Sequence, residues 1–139
     1  MATWMGLDFG TRRIGIAVGQ TLTGSASPLT TLSARDGQPD WGTLTRLIEQ
    51  WRPQGLILGL PFNMDDTEAE IVPRVRRFAR QLEGRFDLPV HLVDERLTSL
   101  EAERRLDARK RRPGDLDAYA AKLILETWLS EHPTQAADR

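Results

Sequence analysis

The sequence predicts an α/β domain on a mixed five-stranded sheet, an antiparallel three-strand meander plus two parallel strands, with flanking helices. Three observations predict it. Within residues 4–18, apolar runs stand on either side of Gly10-Thr11-Arg12-Arg13, the pattern of a β-hairpin. Residues 55–60 form an unbroken apolar run bounded by Pro53 and Pro61, as expected of a parallel strand covered on both faces. Between the strand candidates lie segments whose apolar residues recur at helical spacing.

Each element has its own signal. After the hairpin, residues 25–32 are β-compatible and follow a turn at Thr23-Gly24, which completes the meander, and 33–39 read as a polar loop. Asp40 can cap a helix carrying Trp41, Leu44, Leu47, Ile48 and Trp51 on one stripe, ended by Pro53. That spacing assigns Trp41 and Trp51 to the core rather than to base stacking. In the next helix Thr67 and Glu70 could form a capping box, but Pro73 is tolerated only in a first turn, so the regular part starts near Ile71. Ile71, Val75, Phe78, Ala79 and Leu82 make its stripe and Gly84 closes it. Residues 89–93 form a further strand with Asp94-Glu95 at its end. Thr98 and Glu101 open a short helix to about Leu106. Pro113-Gly114 ends a basic segment, and Asp115 can cap a last helix that buries Leu116, Ala120, Leu123, Ile124, Thr127 and Trp128. Residues 1–139 read as a single domain, with 133–139 as a flexible tail. Right-handed crossovers pair the strand at 55–60 parallel to the first strand, which sets Asp8 near the sheet centre.

Composition narrows the chemistry. The chain has 139 residues, 40% hydrophobic and 28% charged, ordinary for a globular protein able to bury a core. With no cysteine and only His91 and His132, thiolate chemistry and a three-histidine zinc site are excluded, so a metal site must use mainly oxygen ligands. No secretory leader and no apolar run near the ~20 residues of a membrane span are visible, which leads to the expectation of a cytoplasmic protein without membrane contact. Net charge is -1, but Arg104, Arg105, Arg109, Lys110, Arg111 and Arg112 crowd one segment.

Three carboxylates are hard to explain by solvation alone. Asp8 lies inside a core strand, where an ionised group is strongly unfavourable unless it is paired, hydrogen-bonded or metal-bound; Gly6 and Gly10 beside it permit close approach of a backbone or ligand. Glu95 ends a strand. Asp117, in the first turn of the last helix, continues the stripe of Ala120, Ala121, Ile124 and Trp128. Taken singly, Glu95 could be a surface partner of Arg96 or Arg12, and Asp117 could answer the helix dipole. Taken together, three carboxylates delivered to one sheet edge repel one another without a cation, which argues for Mg²⁺ or Mn²⁺. Such a site suits phosphodiester hydrolysis, in which two ions ~4 Å apart activate water and stabilise the leaving oxygen.

Four segments then carry a resemblance. Leu7-Asp8-Phe9-Gly10-Thr11-Arg12-Arg13-Ile14-Gly15-Ile16-Ala17, Gly59-Leu60-Pro61-Phe62-Asn63, Asp94-Glu95-Arg96-Leu97-Thr98-Ser99 and Asp117-Ala118-Tyr119-Ala120-Ala121-Lys122-Leu123-Ile124-Leu125 resemble, in order and over nearly the whole chain, the YqgF/RuvX family. The resemblance implies a ribonuclease H-like fold, pre-16S ribosomal RNA nuclease or Holliday junction resolvase activity, and Asp8, Glu95 and Asp117 as catalytic, metal-binding residues. The chain departs from the family at Asn63-Met64-Asp65-Asp66-Thr67, where Asp66 replaces a usual glycine, and its segment 106–114 is short.

Candidate substrate-binding residues flank the triad: Arg12 and Arg13 after Asp8, Arg96 after Glu95, and Arg109, Lys110, Arg111 and Arg112 before Asp117. A solvated loop is the plain alternative for the last four. Asn63 could contact a sugar or base, or shape its turn. The leading expectation is a divalent-metal-dependent endonuclease in 5′-end processing of pre-16S ribosomal RNA, with a Holliday junction resolvase acting on branched DNA as the alternative. Junction resolution would call for a homodimer, of which no interface is legible. A non-catalytic nucleic-acid binding protein is a further alternative. Asp8-Phe9-Gly10-Thr11 also looks like the phosphate loop of actin-like ATPases and sugar kinases, but those clamp nucleotide between two related domains and this chain supplies one.

Overall fold

In the computed structural model, residues 2–60, 71–95 and 113–132 are described. Among them run β1 (Thr3–Asp8), β2 (Arg13–Gln20), β3 (Ser25–Arg35), β4 (Gln38–Pro39), α1 (Trp41–Trp51), β5 (Leu56–Leu60), α2 (Val72–Phe86), β6 (Val90–Asp94) and α3 (Pro113–Glu131). The capping box at Thr67 and Glu70, the short helix at 98–106, the basic segment and the tail at 133–139 lie outside the described residues.

The strands form one mixed sheet in the order β4-β3-β2-β1-β5-β6. β1, β2 and β3 are antiparallel neighbours, and β5 lies parallel to both β1 and β6. The sheet class and the placement of Asp8 on a central strand are as the sequence predicts. Among the described residues the strands number six rather than five. Residues 33–39, expected as a loop, continue β3 to Arg35, turn at Asp36-Gly37 and return as β4, with Arg35 opposite Gln38. Asp36 and Gly37 have φ of 52° and 81°, the left-handed pair a tight hairpin turn requires. The Asp-Gly dipeptide was therefore the overlooked signal.

Helix ends follow local chemistry. Asp40 caps α1, its carboxylate accepting from the backbone N–H of Gly42 and Thr43. α2 starts after Ile71 with Pro73 in its first turn, as anticipated, but passes through the exposed Gly84 and ends at Phe86, with Asp87 left-handed at its C-cap. Gly84 is thus a helix interior residue and not the stop. α3 begins at Pro113, a residue suited to a first helical position, so Asp115 lies within the helix instead of capping it, and Asp117 falls in the second turn.

Two cores sandwich the sheet. On one face α1 and α2 pack Leu44, Ile48, Val75, Phe78 and Leu82 against Met5, Leu7, Ile14, Ile16, Leu56 and Leu58. On the other, α3 packs Ala120, Ile124, Leu125 and Trp128 against Trp4 and Ile57. Trp41 packs against Phe78 and Phe86 and belongs to the core, as its spacing indicates.

Candidate active site

The site is built around Asp8, the buried polar or charged side chain among the described residues, 6% exposed. Side chains alternate along β1, so Asp8 shares a face with Gly6 and Trp4, and Trp4 meets Trp128 of α3 at 4.6 Å between ring centroids. Asp8 therefore faces α3.

Its neighbours on that face are glycines. Gly15 of β2 is directly opposite Asp8, and the β1–β5 register, continued one residue beyond Leu7 and Leu58, sets Gly59 on its other side. The absent side chains admit the backbone of Asp117 on one side and the Glu95 side chain on the other. A methyl group on Gly15 would lie 1.9 Å from the carbonyl oxygen of Asp117, so the second turn of α3 rests directly on the β2 backbone. A methyl on Gly59 would lie 3.0 Å from Oε2 of Glu95 and 2.5 Å from Cδ1 of Ile124. Asp8 is thus flanked by two gaps, one covered by Asp117 and the other by the Glu95 side chain. Gly6 is tight against α3 as well, 2.8 Å from the Ala121 carbonyl oxygen by the same measure, which bears out its reading as a point of close backbone approach.

One of the three carboxylates is held by an arginine. Arg13 Nε donates to Asp117 Oδ2 at 2.7 Å across 104 residues of sequence, with the side chains 46% and 22% exposed. This charge-assisted bond links the start of β2 to α3. Any phosphate contact by Arg13 must compete with it. Among the described residues, no three Asp, Glu or His side chains are gathered as an ion-holding group. Donor type fits a hard divalent ion, since all three side chains offer oxygen, and the Asp117 backbone over Gly15 and the Glu95 side chain over Gly59 set these residues on either side of Asp8.

Of the other expected residues, Arg12 lies in the exposed turn between β1 and β2, whose Gly10 is itself packed against the Arg13 carbonyl. Asn63, Arg96, Arg109, Lys110, Arg111 and Arg112 lie outside the described residues. Gly15 and Gly59 are the residues the sequence reading passed over. Their signal was a glycine inside each of two otherwise apolar strands.

Comparison with known proteins places these features in context. Residues 2–131 match the model of a family described as RuvX, Holliday junction resolvase. A protein of Azotobacter vinelandii, provisionally named a pre-16S rRNA nuclease, is 50% identical over 135 residues, covering 93% of this chain and 94% of its own. A protein of Nitrosococcus oceani with the same provisional name is 52% identical over 134 residues, covering 94% and 88%. Among solved structures, T. thermophilus RuvC in complex with a Holliday junction substrate superposes with a TM-score of 0.59 at 14% identity, covering 94% of this chain and 96% of that one. At that identity the likeness is one of fold, and the fold is ribonuclease H-like.

Proposed function

The chain belongs to the RuvX family, and from that premise we propose that it is a divalent-metal-dependent endonuclease that hydrolyses phosphodiester bonds in the 5′-end processing of pre-16S ribosomal RNA. The observation that carries this reading is a buried Asp8 at the centre of the sheet edge, with Asp117 over the glycine on one side and Glu95 over the glycine on the other.

In this reading Asp8, Glu95 and Asp117 hold Mg²⁺ or Mn²⁺. Bound there, the cation supplies charge neutralisation for the phosphate and lowers the pKa of the attacking water. Burial of Asp8 keeps its carboxylate in a medium of low dielectric, where attraction for a cation is stronger than in bulk water. Arg13 orients the Asp117 carboxylate and offsets part of the repulsion among the three acids. Arg12 and Arg13, at the same sheet edge, bind the phosphate oxygens of the substrate strand, joined by Arg96 and the basic segment 109–112. Asn63 contacts a sugar or base or shapes its own turn. No helix of the described residues is long and apolar enough to cross a membrane. The cytoplasm is the compartment this role assigns.

A second reading, resolution of four-way DNA junctions, is favoured by the family description and would require two coordinated cuts by a symmetric homodimer. One experiment separates these readings. A pre-16S rRNA fragment and a four-way DNA junction are incubated side by side, with Mn²⁺ or with chelator, using wild type and Asp8→Asn. The expected result is metal-dependent cutting of the RNA that Asp8→Asn abolishes. Preferential cutting of the junction by a dimer would assign the second reading, and binding without cutting under any condition would leave a nucleic-acid binding protein.

A further inference from the structure

Beside the carboxylate site, on the opposite face of the same sheet edge, lies a cavity of about 130 Å³ lined by Phe9, Gly37, Gln38, Arg74, Arg77 and Gln81. Its position follows from the chain: Phe9 directly succeeds Asp8, and where Asp8 faces α3, Phe9 turns to the α2 side and packs on Phe78 at 5.1 Å between centroids. The β3–β4 turn closes the cavity from above. A methyl on Gly37 would lie 2.8 Å from the Phe9 ring, and the Gly37 N–H donates to the Thr11 carbonyl at 3.0 Å, tying the turn to the β1–β2 loop.

The walls are fixed before any ligand arrives. Arg74 donates to the Asp36 carboxylate at 2.5 Å and to its carbonyl at 3.0 Å, clamping the turn onto α2. Trp41 Nε1 donates to Gln38 Oε1 at 3.2 Å, and Gln38 Nε2 donates to Gln81 Oε1 at 3.3 Å. Among the described residues, with Asp36 held by Arg74, Arg77 gives the cavity a surplus positive charge. An aromatic ring, two side-chain amides and a guanidinium are the groups that recognise an unstacked base and its phosphate. The volume is close to the ~150 Å³ that houses a benzene ring.

We propose that this cavity is a subsite for one unpaired nucleotide of the substrate strand, its base on Phe9 and against the hydrogen-bonded Gln38–Gln81 pair, its phosphate on Arg77. The proposal deepens the nuclease reading and rests on it for the identity of the strand; the link to the carboxylate site is Phe9, which lines the cavity and directly follows Asp8.

The test is equilibrium binding in chelator, where cleavage is suppressed, of a fluorescent single-stranded octaribonucleotide, its deoxy counterpart and a short RNA duplex. The full-length wild type is compared with Arg77→Ala and Gln81→Ala, both helix-surface changes, and with Phe9→Leu. The expected result is a Kd for the single strand weakened about tenfold in Arg77→Ala and Phe9→Leu, with duplex binding within about twofold of wild type. Equal loss on ribo and deoxy strands assigns the contact to base and phosphate; a loss confined to RNA adds the sugar. Wild-type affinity in all three variants, equal losses on single strand and duplex, or no single-strand binding by wild type would each overturn the subsite. Cleavage is scored separately, so a folded chain that binds as expected but never cuts would remove the nuclease reading and leave the subsite standing.

Discussion

The two faces of the sheet are built from different materials. Toward α1 and α2 the central strands present Met5, Leu7, Ile14, Ile16, Leu56 and Leu58, a conventional interlocking of large side chains. Toward α3 they present Gly6, Gly15, Gly19 and Gly59, and at Gly6 and Gly15 the helix backbone approaches the strands at contact distance. The first face gives stability through buried area. The second gives up side-chain burial and strand propensity, and its glycines leave room on either side of Asp8 for the Asp117 backbone and the Glu95 side chain. A site of this kind is positioned by what is missing from the strands as much as by the carboxylates themselves.

Substitutions on the two faces should therefore fail in different ways. The largest effect is expected from Gly15→Ala, whose methyl meets the Asp117 carbonyl at 1.9 Å and must displace α3. Cleavage should fall to background while thermal unfolding records a loss of about 1–3 kcal/mol or more. On the other face, Leu44→Ala leaves a cavity in the fully buried core and should cost about 2–5 kcal/mol, with the kcat/KM of the folded fraction unchanged. If Leu44→Ala abolished cutting at temperatures where it is folded, the division of labour between faces would be wrong. Under the proposed function, in which Arg13 both orients Asp117 and contacts phosphate, Arg13→Gln should weaken substrate binding and reduce kcat together; a change in KM alone would assign it to phosphate only.

The smallest effect concerns His91 at the far end of the α3 face, stacked on Trp128 at 5.2 Å. Burial, reinforced by nearby His132 and opposed by Glu83, lowers its pKa below the ordinary value. The folded state thus favours neutral imidazole, and its contribution is complete above the unfolded pKa of about 6.5 and is lost as pH falls below it. Chemical denaturation between pH 7.5 and 5 should show stability falling toward acid, with a shallower fall in His91→Gln. An unchanged slope would remove His91 from the account.

Much of this was legible in the sequence because the signals were local. Asp40 before a helical stripe, Pro73 in a first turn and the apolar run at 55–60 each specify their own element, and crossover handedness then puts β5 beside β1. The anomaly of a carboxylate in a core strand likewise pointed to Asp8. What escaped depends on register or on competing local rules. Gly15 and Gly59 have meaning only once β1, β2 and β5 are aligned and the last helix is laid across them. Gly84 reads as a helix stop, yet packing of Leu82 on one side and a left-handed Asp87 on the other carry the helix past it. The Asp36-Gly37 turn was readable and was outweighed by the polar character of residues 33–39.

The most direct test of the central claim is Mn²⁺ binding followed by electron paramagnetic resonance in wild type, Asp8→Asn, Glu95→Gln and Asp117→Asn, with folding checked by circular dichroism. If the three carboxylates act as one oxygen-donor site, wild type binds Mn²⁺, Asp8→Asn loses it, and the other two variants bind more weakly. Mn²⁺ affinity unchanged in folded Asp8→Asn would contradict the account.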